Sequence, residues 1–263
     1  MARSERRRVL TANPIPTPRL PSQGRGIQAY EFKKRRSLLR MKRQICLLIA
    51  LIMILITTSP IHGRSDKGGS VPGNFDSYVL AMSWSPDFCS GRGGKDSEQC
   101  GPGKNPGFVL HGLWPQYQKG FPQNCSSVPF PSQLKQEFPG LFPNDRLYAH
   151  EWRRHGTCSG LSPREYLAAA QKLKQTAPLP PRYQHLREPV RTTTAAFKKE
   201  FKMVNANLPD SGMAVFCSGS GRFLKEVLLC YNRQGRPIAC SSEIMSKSAR
   251  SCRQGDFLIR PGR

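Results

Sequence analysis

The sequence predicts an α+β fold with an antiparallel sheet, held by disulfides. Three observations lead there. The body opens on a strand-like alternation at Ser77–Trp84 and ends in strand-like segments from Met213 onward. Capped, helix-periodic stretches lie between them. Eight cysteines, an even set, lie beyond position 65.

In order along the body, Tyr78, Leu80, Met82 and Trp84 share one face of the first strand. Ser85–Asn105 is Gly-rich, carries Cys89 and Cys100, and reads as loop. Phe108–Trp114 begins a second strand, and the turn formers of Gln116–Pro131 predict another loop. A short helix is expected at Leu134–Phe138. A longer one is expected at Asn144–Arg154, capped by Asn144 or Asp145 and stopped by Gly156. Ser162-Pro163-Arg164-Glu165 is a capping box with proline in the first turn, so a helix runs from there to about Gln175. Pro178, Pro180 and Pro181 enforce a loop, and Thr194–Asn207 makes a helix buried through Phe197, Phe201 and Val204. Strands are expected at Met213–Cys217, Phe223–Tyr231, Pro237–Cys240 and Phe257–Arg260. A turn at Asn232–Arg236 brings Cys230 near Cys240.

Charge narrows the partners. The 263 residues carry 41 Lys+Arg against 17 Asp+Glu, a net +24. Residues 1–40 hold +9, and residues 66–263 still hold +12. That excess points to a polyanion such as nucleic acid, or to an anionic surface.

The front of the chain does not read as fold. Met41-Lys42-Arg43-Gln44 precedes a twelve-residue apolar run, Ile45–Ile56, followed by small and turn residues. A membrane span needs about 20 residues. A signal peptide is therefore expected at 41–65, cut within 57–65, in preference to a single-pass anchor. Residues 1–40, rich in Arg and Pro, are either a basic nucleic-acid-binding arm or sequence upstream of a start at Met41. The second reading is preferred, because a secretory n-region normally lies at the terminus. Cys46 would leave with the signal, and the eight remaining cysteines suit an exported, disulfide-bonded chain. No C-x-x-C occurs, which disfavours a zinc ribbon or thioredoxin-type site.

Three of the five histidines fall in two dense clusters, His111-Gly112-Leu113-Trp114-Pro115 and His150-Glu151-Trp152-Arg153-Arg154-His155-Gly156-Thr157-Cys158. The second is not a zinc-protease motif, which needs histidines four apart; His150 and His155 are five apart. Glu151, Arg154 and His155 instead fall at helical spacings that share one face. An acid, a cation and an imidazole there suit proton transfer beside a phosphate. His111 is the candidate second imidazole, with Gly112 allowing close approach and Trp114 offering a ring to stack on. Two such histidines can cleave RNA without a metal: one takes the ribose 2′-OH proton and the other protonates the departing 5′-oxygen. The bland alternative makes His111 a core residue and the Arg/Glu/His helix a solvated face, with Trp114 and Trp152 in the core. His185 is isolated and reads as a surface residue. Gly94-Lys95-Asp96 and Gly103-Lys104-Asn105 lack the Ser/Thr and strand context of a P-loop.

Phe108–Pro115 and His150–Cys158 resemble the two active-site segments of the ribonuclease T2 family. Tyr78–Pro86 with Phe88-Cys89 is similar to the family's first strand, and the likeness extends from Asp76 to Ile259. It implies a single catalytic domain at 66–263, with a central antiparallel sheet and packed helices. It implies a cofactor-free and metal-free endoribonuclease that cuts single-stranded RNA to 2′,3′-cyclic phosphates, with an acidic optimum. By that analogy His155 is the base and His111 the acid. Glu151 and Arg154 would steady the phosphorane, His150 would hold phosphate, and Trp114 would sit beside a base. The implied disulfides are Cys89–Cys100, Cys125–Cys158, Cys217–Cys252 and Cys230–Cys240; the last agrees with the predicted turn. Arg154 stands where the family usually has Lys, and a planar fork is not a point charge. Gln116 stands at an often acidic position, which leaves base preference open. The expected partner is RNA, with no membrane anchor once the signal is removed, a periplasmic or secreted location, and a monomer preferred.

Overall fold

The computed structural model describes residues 70–262 apart from 105, 253 and 254, together with Gln44. The chain divides into two units, Met1–Ser65 and Asp66–Arg263, and the second is described here. The signal peptide expected at 41–65 and the extension 1–40 lie, but for Gln44, outside the described residues.

The elements run β1 (Ser77–Trp84), α1 (Ser85–Ser90), α2 (Ser97–Cys100), β2 (Phe108–Gln116), α3 (Leu134–Glu137), α4 (Asp145–Arg154) and α5 (Pro163–Gln175). They continue with β3 (Val190–Thr192), α6 (Thr194–Val204), β4 (Met213–Ser218), β5 (Phe223–Tyr231), α7 (Ser242–Ser251) and β6 (Phe257–Ile259). The six strands form one sheet in the order β2-β1-β5-β6-β3, with β4 also paired to β5. Pairing is antiparallel except between β5 and β6, which meet in parallel at Phe223 and Leu258. The expected antiparallel sheet is therefore mixed at that one contact. Among the described residues no helix is long and apolar enough to cross a membrane.

The sheet buries both faces unequally. Tyr78, Leu80, Met82 and Trp84 point into the main core, against Leu110, Leu113, Tyr166, Leu167, Phe197 and Phe201. The opposite face holds a small cluster of Val79, Ala81, Ala214 and Leu228, with Trp114 and Ile244 packed on it. The helices begin where local chemistry allows. Asn144 caps α4 by accepting from Leu147 N at 3.1 Å. Ser162 and Glu165 complete the capping box of α5.

Besides the unexpected strand β3, three segments depart from expectation. The Gly-rich 85–105 stretch contains α1 and α2, nucleated by Pro86 in the first turn and by Asp96 as cap, and tied by Cys89–Cys100. Pro237–Cys240 makes only an isolated bridge, Tyr231 to Pro237. Helix α7 was not expected, having few apolar residues. It is held by tertiary contacts instead: Ser248 Oγ bonds Val215 N and O, and Ser251 Oγ accepts from Cys217 N. These hydroxyls satisfy backbone groups of β4 that would otherwise form an open edge. The bridges Cys230–Cys240 and Cys217–Cys252 close on either side of α7. With Cys89–Cys100 and Cys125–Cys158, they are the four pairs that the resemblance implies.

Two β-bulges set the direction of the site. On β2, Ala81 pairs with Gly112 and Met82 with Leu110, leaving His111 as the extra residue. On β5, Phe216 pairs with Glu226 and Cys217 with Leu224, leaving Lys225 extra. A bulge shifts the two-residue alternation by one. His111 and Trp114, three apart, would face opposite ways on a regular strand; here both line the same cleft. Gly112 lies between them because nothing larger fits. A Cβ there would overlap Glu151 Oε2 and Trp114 Nε1. Gly156 has the same steric role behind the cleft, where a Cβ would strike Trp152 and Tyr166.

Gly112→Ala is expected to destabilise the protein by about 1–3 kcal/mol through overpacking, measured by urea unfolding; a variant as stable as the parent would show that Glu151 does not press on this backbone. Removing the Cys125–Cys158 bridge, whose ends are 33 residues apart, should cost about 3–4 kcal/mol in the same assay. An unchanged unfolding midpoint would mean that this bridge does not restrain the chain.

Candidate active site

Two segments converge on one cleft of about 330 Å³. Strand β2 contributes His111, Trp114 and Gln116; α4 and the residue after it contribute His150, Glu151, Arg154 and His155. Val79, Phe121, Phe216, Leu228, Ile244 and Lys247 complete the lining. All six sequence-singled catalytic and binding residues are thus brought together. His185 is exposed, and Trp152 is buried core with its indole donating to Val128 O.

The shared helix face expected for Glu151, Arg154 and His155 holds for the first two only. Helix α4 ends at Arg154, and His155 leaves it with φ −123° and ψ −45°. Glu151 and Arg154 share the helix face, whereas His155 reaches the cleft because the helix stops. This also explains how His150 and His155, five apart, line one cleft. Cys125–Cys158 and the bond from Asn124 N to Arg154 O hold that helix end to the preceding loop.

Trp114 is the hub. Its indole centroid lies 5.1 Å from that of the His111 ring and 5.3 Å from that of His155. Its Nε1 donates to Glu151 Oε2 at 2.8 Å. Phe121 flanks His155 on another side at 5.9 Å. Gln116 is buried and donates to Pro115 O at 3.0 Å, so its amide is engaged with its own strand.

Electrostatics separate the groups. Burial and the nearby charges of Arg154, His111 and His150 push His155 down to about 3. Its Nδ1 is buried without a hydrogen-bond partner among the described residues. Burial also opposes charge on His111, but the hydrogen bond and negative charge of Glu226 outweigh it and hold His111 above its ordinary value. Burial drives Glu151 up to about 7, against the pull of His111, Trp114 and Arg154. His150 lies 3.9 Å from Glu151 Oε1, too far for a hydrogen bond, and partial burial with Arg153 and Arg154 lowers it.

Sequence reasoning missed Glu226 and Ser83. Glu226 Oε1 stands 2.7 Å from His111 Nδ1, and Ser83 Oγ donates to the same oxygen at 2.9 Å. The available signal was a carboxylate within the otherwise apolar run of β5. The arrangement can protonate one group and deprotonate another across a single bound phosphate.

Known proteins share this sequence pattern and fold. Residues 75–240 match the ribonuclease T2 family. A ribonuclease from Aeromonas hydrophila is 36% identical over 232 residues, covering 83% of this chain and 98% of that protein. The crystal structure of RNase NT in complex with 5′-AMP superposes with a TM-score of 0.52 at 25% identity, covering 72% of this chain and all of that one. Ribonuclease MC1 from bitter gourd seeds shares the fold at a TM-score of 0.52 and 24% identity, over 70% of this chain and 99% of that one. On the family match and the extended identity together, this chain belongs to the ribonuclease T2 family and is an RNA-cleaving enzyme, an endoribonuclease.

Proposed function

We propose that this endoribonuclease cleaves single-stranded RNA by metal-independent transesterification, with His155 as general base and His111 as general acid. His155 takes the 2′-OH proton, the 2′-oxygen bonds to phosphorus, and the P–O5′ bond breaks as His111 protonates O5′. The products are a 2′,3′-cyclic phosphate and a 5′-hydroxyl. DNA lacks the internal nucleophile and is spared.

The observation that carries this reading is the opposite displacement of two imidazoles beside one indole. Environments that push paired titratable groups apart assign acid and base. His111, held above 6.5, is protonated when His155, near 3, is neutral. The same two environments disfavour the reverse pairing. Glu151, at about 7, carries its proton in acid and can then donate to a phosphorane oxygen rather than repel it. Arg154 adds fixed positive charge, His150 holds phosphate, and Trp114 lies beside a base. The +12 of residues 66–263 aids capture of RNA.

The same reading makes 41–65 a signal peptide and 66–263 the exported, monomeric catalytic domain, periplasmic or secreted, with no membrane anchor. The four disulfides support an oxidising compartment.

RNA digested in EDTA should yield cyclic-phosphate ends at an undiminished rate; loss of cleavage on chelation would favour metal chemistry instead. His111→Ala and His155→Ala should each lose about 10²–10⁴-fold in kcat. Full activity in either would remove it from the mechanism. The sign of the pH dependence follows from the shifts. Activity rises as His155 loses its proton near pH 3 and falls as His111 loses its proton above 6.5. A profile of kcat/KM with its optimum above pH 8 would contradict the assignment.

A further inference from the structure

His111 is gripped from behind the cleft. Glu226 is buried and does not line the cleft, yet its Oε1 lies 2.7 Å from His111 Nδ1. Ser83 Oγ directs its hydrogen to that same oxygen at 2.9 Å and stands 3.3 Å from Nδ1. The three residues occupy adjacent strands, β2, β1 and β5, and Ser83 and Glu226 are register partners. Both bulges fall here, beside His111 and beside Glu226.

We propose that Glu226, braced by Ser83, is a positioning residue that holds His111 by Nδ1, so that Nε2 alone faces the RNA and delivers the proton to O5′. This rests on the reading of His111 as the acid. A carboxylate only accepts, so Nδ1 must donate, which fixes the tautomer and the ring plane. When the 2′-oxygen bonds to phosphorus and P–O5′ breaks, the Nε2 proton passes to O5′. The Nδ1 proton stays on the ring, shared with Glu226, and the ring becomes neutral. Other charges also face His111: Lys225 on β5, His150 and Glu151 on α4, and His155 beyond it. Of the two carboxylates, Glu151 is engaged by Trp114, and Glu226 alone bonds the ring.

The test compares two substrates sharing one nucleoside: a dinucleoside monophosphate, and the nucleoside 3′-(4-nitrophenyl phosphate). Nitrophenolate departs without a proton and needs no general acid. Glu226→Gln should lower kcat on the dinucleotide about 10–100-fold with KM within about twofold. Its alkaline pH limb should fall by about one unit. On the nitrophenyl ester it should stay within about twofold of the parent. Ser83→Ala should show the same selectivity with a loss of about threefold. Equal losses on both esters, or an unmoved alkaline limb, would overturn the proposal. If Glu226→Gln does not fold, as judged by its melting transition, Ser83→Ala decides by the same criterion. His111→Ala separates the two claims: a loss equal on both esters sinks the acid reading itself. A selective loss in His111→Ala, with none in Glu226→Gln or Ser83→Ala, sinks only the positioning role.

Discussion

The hydrogen bond from Trp114 Nε1 to Glu151 Oε2, 2.8 Å long, joins strand β2 to helix α4 across the bare Cα of Gly112. The two segments that line the cleft meet at it. It locks the indole in place, and both imidazoles lie against that indole. It also occupies one oxygen of a carboxyl that is almost wholly buried, at 1% exposure. Gly112 is therefore a packing requirement between protein groups. The groups that approach its backbone closely are the Glu151 carboxyl and the Trp114 ring.

Around that bond the electrostatics diverge. On the β-sheet side, a buried carboxylate and a serine hydroxyl face His111 and favour its charged form. On the helix side, His155 has no such partner, and cations surround it. The opposition comes from which secondary structure carries each ring. A bulged strand can turn His111 toward a neighbouring strand's carboxylate, whereas His155 sits just past a helix end rich in arginine. In the proposed mechanism this difference, set by the fold before RNA arrives, determines the direction of proton flow.

Much of this was legible in the residues. The alternation of Ser77–Trp84 identified both strand β1 and its core face, and Ser162 to Glu165 identified the start of α5. The two histidine clusters identified the cleft-lining residues, because the chemistry is concentrated in two short runs. What sequence could not supply was phase and distance. A bulge leaves no periodic trace, so the common orientation of His111 and Trp114 was invisible. Glu226 lies 115 positions from His111 and looks like an ordinary strand residue until β5 is placed in the sheet. Helix α7 escaped because disulfides and serine hydroxyls, beside the packed pair Ile244 and Met245, hold it.

The proposed proton transfer requires two imidazoles with divided protonation in the resting enzyme. Following the ring C–H resonances of the folded protein by NMR from pH 4 to pH 9 measures that division directly. The predicted result is a His111 midpoint above 6.5 and a His155 signal that remains in its neutral form down to pH 4. Coincident midpoints, or His155 titrating above His111, would contradict it.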